Sequence, residues 1–237
     1  KAFSLAIDRT YIVNQVTQSG QVEAGGFVPS GVYDADGADG DDFRTVGGDY
    51  YKPTDADYEA NCDEARQLLA DAGYPNGEGF PVVEYLYNTS DAHKAVAEAL
   101  QFMWEEELGV KVTLNNQEWA AFLQTRKDGD YSIARNGWIA DYNDPISFLD
   151  MWMTGGGNND AQYANDDYDA LIKQAKTTTD NAERMDLLHQ AEDKLIGEDS
   201  VLAPLYFYTQ KYMLADGIEG MYYCPLGYFF FGYTQQN

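Results

Sequence analysis

The residues best equipped for chemistry crowd into one stretch, Asn116 to Pro145. It holds two tryptophans, Trp119 and Trp138, two arginines, Arg126 and Arg135, and several carboxylates including Asp141, set around one short apolar run. An indole offers a flat apolar wall, Asp141 can hold a cation, and Arg126 and Arg135 can each grip a carboxylate in a fork. A free peptide carries an ammonium at one end and a carboxylate at the other, so this set could hold both. The same residues could equally be a buried tryptophan core with a structural ion pair beside it.

Position matters as much as type. Residues 131–135 read as a strand, with Tyr131, Ile133 and Arg135 on one face and Ser132 and Ala134 on the other. Gly137 and Pro145 punctuate the chain after this strand. Arg135, Trp138 and Asp141 are then expected at or just past the strand's C-terminal end, where open α/β sheets bind ligands. Two further polar residues fall at a similar place. Asn88 ends an expected strand, and His93 lies in the first turn of the next helix, whose free N–H groups and dipole favour an anion. A lone histidine is more often structural than ligating. Asn88-Thr-Ser90 also fits a glycosylation sequon, read here as incidental.

The elements that must position these groups alternate. Residues 2–18 carry a helical apolar face, ended by Gly20, and 21–55 read as loop. A helix is expected over 57–72, stopped by Gly73 and Pro75. A strand over 81–87 leads to a helix from Ser90 or Asp91 with Ala92, Val96, Ala99, Leu100 and Met103 as its stripe. Gly109 ends it, Val110, Val112 and Leu114 alternate as a strand, and 118–126 is helical. This rhythm is that of an α/β domain with parallel connections. Beyond Pro145 come a short helix over 146–152, a Gly/Asn loop over 154–160, and two helices, the first marked by Tyr168 and Ile172, the second by Met185 and Leu195. Extended segments over 201–208 and 211–214 precede an aromatic tail. His189 reads as a surface or packing residue, and Asp8 and Arg9 as a local pair or cap.

Composition narrows the function classes. The chain has 237 residues, with 15 Lys and Arg against 40 Asp and Glu and a net charge of −25. That balance argues against nucleic acid or an anionic membrane as partner, and chiefly serves solubility. No run of eighteen apolar residues occurs to span a membrane. Two cysteines are too few for a disulfide scaffold; Cys62 and Cys224 are expected to be separate thiols. The run from Asp34 to Asp42 invites a calcium-loop reading, but Asp34, Asp36 and Asp39 break the required spacing and no Glu closes it. A solvated acidic turn is expected instead. With only His93 and His189, a histidine-rich metal site is excluded, and no metal or cofactor is expected. The motifs of serine hydrolases, zinc proteases and Cys-x-x-Cys sites are absent. A carboxylate-pair hydrolase remains the enzyme alternative; the reading preferred is a binding protein without catalysis.

Several stretches resemble a known family. Gln117-Glu-Trp119, Thr125-Arg126, Ala134-Arg135-Asn-Gly-Trp138 and Ala140-Asp-Tyr-Asn-Asp-Pro145 are similar to the oligopeptide-binding proteins of ABC importers, the extracellular solute-binding proteins of family 5. Leu86 to Lys94, Asn158-Asn159 and Pro204 to Tyr208 fit as well, so the likeness runs over nearly the whole chain and is weakest at 30–55. The resemblance implies a periplasmic-binding-protein-like (type II) α/β lobe, with a mixed sheet flanked by helices. It implies a fragment of a two-lobe protein, agreeing with a chain that opens at Lys1 directly on a helical pattern. Residues 1–215 would be the second large lobe, and 216–237 a return segment towards the missing N-terminal lobe.

By the same resemblance the protein would capture extracellular oligopeptides for import. It would work outside the cytoplasm, periplasmic or lipid-anchored, with a membrane ABC permease as partner. Asp141 would meet the peptide's ammonium. Arg126, Arg135 and His93 would be alternative partners for its carboxylate at different peptide lengths, and Asn88, Trp119 and Trp138 would line side-chain pockets. Relatives of the same scaffold that take a nickel complex, haem or sugar are the narrower alternative, because fold does not fix ligand. In the tail, seven of the twelve residues from Tyr222 to Tyr233 are aromatic and none is charged. It is expected to be disordered, folded back on this lobe, or packed on a neighbour, with an ordinary core strand as the competing reading.

Overall fold

A computed structural model describes residues 1–51, 55–224 and 227–237. Its N-terminal segment is a broken helix rather than the single helix expected over 2–18. Ala2–Leu5 is α-helical, the chain kinks, and Arg9–Tyr11 resumes as α-helix before a π-helical turn over Ile12–Thr17. Asp8 caps the second piece by accepting the Tyr11 N–H at 2.7 Å. The break has a cause in Arg9, which is only 1% exposed. Its guanidinium donates to the carbonyls of Ser4, Ile7 and Pro204 and to the Ser4 hydroxyl. It also lies 4.7 Å over the Tyr51 ring. Burial, partly offset by Tyr51, lowers its pKa to about 10. A left-handed Gln18 at φ 48° ends the segment, ahead of the expected Gly20.

The region expected as loop is structured. Strand β1 (Val22–Glu23) is followed by a hairpin of β2 (Tyr33–Asp34) and β3 (Gly37–Asp42), then by a short helix, Phe43–Gly47. The acidic turn is therefore a hairpin, and Asp34 is buried in it rather than solvated. Its carboxylate meets His189 Nε2 at 2.7 Å, and the His189 ring stacks on Phe43 with centroids 3.9 Å apart. No group of three metal-ligating side chains occurs among the described residues.

The helix Asp55–Asp71 leads through Gly73, at φ 94°, to strand β4 (Val83–Asn88). Ser90 caps the helix Asp91–Leu108, and Gly109 ends it in the left-handed region. There the backbones of Gly109 and Gly77 approach so closely that a Cβ on either would strike the other's segment. Strand β5 (Val112–Gln117) and the helix Trp119–Asp128 come next, then β6, which is only Ile133–Ala134 rather than 131–135. The three strands form a parallel sheet in the order β5-β4-β6. Val83, Tyr85, Leu86 and Tyr87 of the central strand are all buried, as expected for a parallel strand covered on both faces. Leu100, Met103 and Trp104 of the crossover helix pack into the same core.

The chain from Ile146 to Glu198 is largely helical. Ile146–Leu149 and a 3₁₀ turn, Asp150–Trp152, precede two longer helices, Asp166–Ala175 capped by Asn165 and Asn181–Glu192 capped by Asp180. Strand β7 (Tyr206–Phe207) pairs antiparallel with β1. The tail then makes four short strands: β8 (Ile218–Glu219), β9 (Tyr222–Cys224), β10 (Tyr228–Phe230) and β11 (Gln235–Gln236). These pair only with one another, β8 with β11 and β9 with β10. None of the described tail residues joins the hydrophobic core. Pro225 and Leu226, inside the aromatic run, lie outside the described residues. Both cysteines are free thiols. Among the described residues no helix is long and apolar enough to cross a membrane.

Candidate peptide-binding face

The C-terminal edge of the parallel sheet carries the candidate residues. Asn88 is the last residue of β4 and is buried, which leaves the sequon at this position without an accessible acceptor. His93 enters the first turn of the helix capped by Ser90. Arg135 comes directly after β6, its backbone N–H donating to the Leu86 carbonyl at 2.8 Å. Its guanidinium, half-buried, folds over Gly137.

Arg135 differs from the five other arginines. Each of those has a carboxylate or a carbonyl bound to its guanidinium. Among the described residues Arg135 alone has no such partner, and its charge acts instead on Tyr85, His93 and Tyr206. Burial first, and the Arg135 charge second, hold His93 below the ordinary 6.5 against a backbone hydrogen bond at Asn88. A half-buried cation with no counter-ion, beside a histidine held neutral, is an arrangement open to an anion.

Trp138 and Asp141 form a second part of the face. The Trp138 Nε1–H donates to the Ser147 carbonyl at 2.6 Å, and the Asp141 N–H to Ser147 Oγ at 3.0 Å. Buried Ser147 therefore sets the 138–141 turn, a role that nothing in the sequence signalled. A pocket of about 260 Å³ opens here, lined by Trp138, Asp141, Tyr142, Asp150 and Asn158. Asp141 is exposed at its edge. Asn159, next to the lining, is buried and ties the loop by donating to the carbonyls of Trp152, Met153 and Tyr163.

The helix Trp119–Asp128 supplies the third part. Trp119, at its start, is exposed and stacks on Phe122 at 5.8 Å. Arg126, one further turn along, lies 5.1 Å over the same ring. Unlike Arg135, its guanidinium is occupied: Nε meets Asp160 Oδ2 at 2.7 Å and Nη1 meets Asn136 Oδ1 at 2.8 Å. Asp160 stands 34 positions away, too far along the chain for residue type and spacing to mark it as the partner.

Comparison with known proteins agrees with this architecture. Residues 1–160 match the family model described as bacterial extracellular solute-binding proteins, family 5 Middle. The dipeptide-binding protein DppE of Bacillus subtilis is 37% identical over the whole of this chain and 42% of its own length. The periplasmic oligopeptide-binding protein OppA of Salmonella typhimurium is 36% identical over 92% of this chain and 38% of its own. The crystal structure of Haemophilus influenzae OppA in complex with the peptide RPPGFSPFR superposes with a TM-score of 0.77 and 29% identity, over 92% of this chain and 41% of that one. The chain thus spans about two fifths of the length of these relatives. The fold is the periplasmic-binding-protein type II architecture of those neighbours. With the family model matched over residues 1–160 and the fold shared, this chain belongs to the bacterial extracellular solute-binding proteins, family 5.

Proposed function

We propose that this chain supplies one wall of the peptide-binding cleft of an extracytoplasmic receptor that feeds an ABC importer. The observation that carries the reading is the unpartnered guanidinium of Arg135 beside Asn88 and His93, on the same sheet edge that leads to Asp141 and its pocket. One group awaits a carboxylate and the other an ammonium, the two ends of a free peptide. Relatives named for dipeptides and oligopeptides support the same ligand class. Trp119 and Trp138 are apolar walls for side chains, so the termini give affinity while the side chains stay loosely specified. The protein acts by binding, not by catalysis: its family is one of solute-binding proteins. Residues 1–215 form the second large lobe, and 216–237 return towards the first. A permease takes the ligand from the closed receptor, which is periplasmic or held at the membrane by a lipid.

Calorimetry on the full-length receptor tests this reading with one short peptide in free, N-acetylated and C-terminally amidated forms. Blocking either end is expected to weaken binding about tenfold or more, as removing one partner of a desolvated charge pair does. Equal binding of all three forms would overturn it.

A further inference from the structure

Two arginines stand on this face, but the structure gives them unlike surroundings. Arg126 lies in the last turn of its helix, and its side chain and that of Asp160 are each 13% exposed. Three segments meet at it. Nε pairs with Asp160 at 2.7 Å. Nη1 donates to Asn136 Oδ1, which also accepts the Gly137 N–H at 2.8 Å. The Asp160 strap is itself held, its carbonyl accepting the Tyr131 hydroxyl at 2.7 Å, and Gln162 donating to the Asp128 carbonyl at 2.9 Å. Gly137 in turn lies under the Arg135 guanidinium.

We propose that Asp160 is a positioning residue for ligand specificity: it neutralises Arg126, withdraws it from carboxylate binding, and turns it into a brace for the Asn136–Gly137 turn that presents Arg135. The inference rests on the peptide-cleft reading above and sharpens it. An arginine already paired in a sheltered site gains little from a second carboxylate, because its charge is compensated and two of its donor positions are filled. Arg135, with neither constraint, takes the ligand's carboxylate. The family resemblance offered the two arginines as carboxylate partners for peptides of different length; the ion pair with Asp160 separates their roles further.

A mixed-sequence library of short peptides, as free acids and as C-terminal amides, competes for the full-length receptor, and the acid-over-amide preference is read by mass spectrometry. In Arg135→Gln that preference falls about tenfold or more. In Arg126→Gln, and in Arg126→Lys should the first fold poorly, Arg135 is less well presented but still present, so the preference falls by less than in Arg135→Gln and is not lost. In Asp160→Asn, which keeps the shape but removes the charge, Arg126 is released and the preference rises by a factor of about three or more. A purely structural Asp160 would not increase discrimination. The proposal is overturned if Asp160→Asn leaves the preference unchanged or lowers it, or if the Arg126 variants abolish it. Should the wild type show no acid preference at all, the peptide-cleft reading itself fails, an outcome distinct from either of these.

Discussion

His189 Nε2 lies 2.7 Å from Asp34 Oδ2, a contact that spans 155 positions of sequence. It fastens the acidic β2–β3 hairpin to the helix Asn181–Glu192, with Phe43 stacked on the imidazole. His189→Leu would leave a buried carboxylate without this partner. The expected loss is about 1–3 kcal/mol of stability, read as a lowered denaturation midpoint. Amide exchange should quicken first within residues 34–42. An unchanged midpoint together with unchanged exchange would show the contact to be dispensable.

Beside it, Glu192 is fully buried and its Oε1 accepts from the backbone of Phe27, the backbone of Val28 and Arg44 Nη1. Glu192→Gln keeps an acceptor but strands the Arg44 charge, whose other carboxylate, Asp49, is 3.8 Å away and half exposed. Removing one partner of such a pair costs about 3–5 kcal/mol. Thermal and chemical unfolding measure it, and a loss under about 1 kcal/mol, on the order of a surface pair, would contradict the assignment.

His93 gives a pH signature. The unfolded chain takes up this proton near 6.5, whereas the folded chain does so only at lower pH. This group therefore lowers stability as pH falls below that value and has no such effect above it. Arg135→Gln removes one cause of the shift, so the His93 ring titration, followed by NMR, should move up. A peptide carboxylate on Arg135 should move it the same way, which makes binding tighten as pH falls through that window. A His93 titration indifferent to Arg135→Gln would show that the two are not coupled.

The tail's aromatic rings stack on each other and not on the core: Tyr222 on Phe230 at 4.7 Å and Tyr223 against Phe229 at 5.0 Å. Tyr222, Tyr228, Phe230, Phe231 and Tyr233 remain exposed. An uncharged aromatic surface of this kind invites association. Deleting residues 216–237 should leave the melting temperature of the remaining chain unchanged and reduce its self-association, seen by light scattering. If the deletion unfolds residues 1–215, the tail is part of their stability.

What the sequence revealed depended on whether the cause was local. The helix Asp91–Leu108 was readable because Ser90, the 3.6-residue stripe and Gly109 all lie within or beside it. The placement of Asn88, His93 and Arg135 came from the strand–helix rhythm. The β2–β3 hairpin was not readable, since its Gly- and Asp-rich residues lack apolar alternation and its partners, His189 and Asn143, are distant. The break at Ala6–Asp8 was hidden for the same reason: Arg9 finds its acceptor at Pro204. Resemblance located Arg126 but could not show that Asp160 occupies it.

The β1–β7 pair, joining Val22 to Phe207, has a consequence for how the chain is made. The parallel sheet can grow in order of synthesis, β4 first, then β5 and β6 added through short crossovers. The first twenty-odd residues cannot finish this way. Arg9 waits for a carbonyl 195 positions downstream, and β1 for a strand nearly as far. Closing so long a loop is entropically slow, so this segment should lock after the parallel sheet has formed. Until then it leaves a buried arginine and an open strand edge for a chaperone to cover.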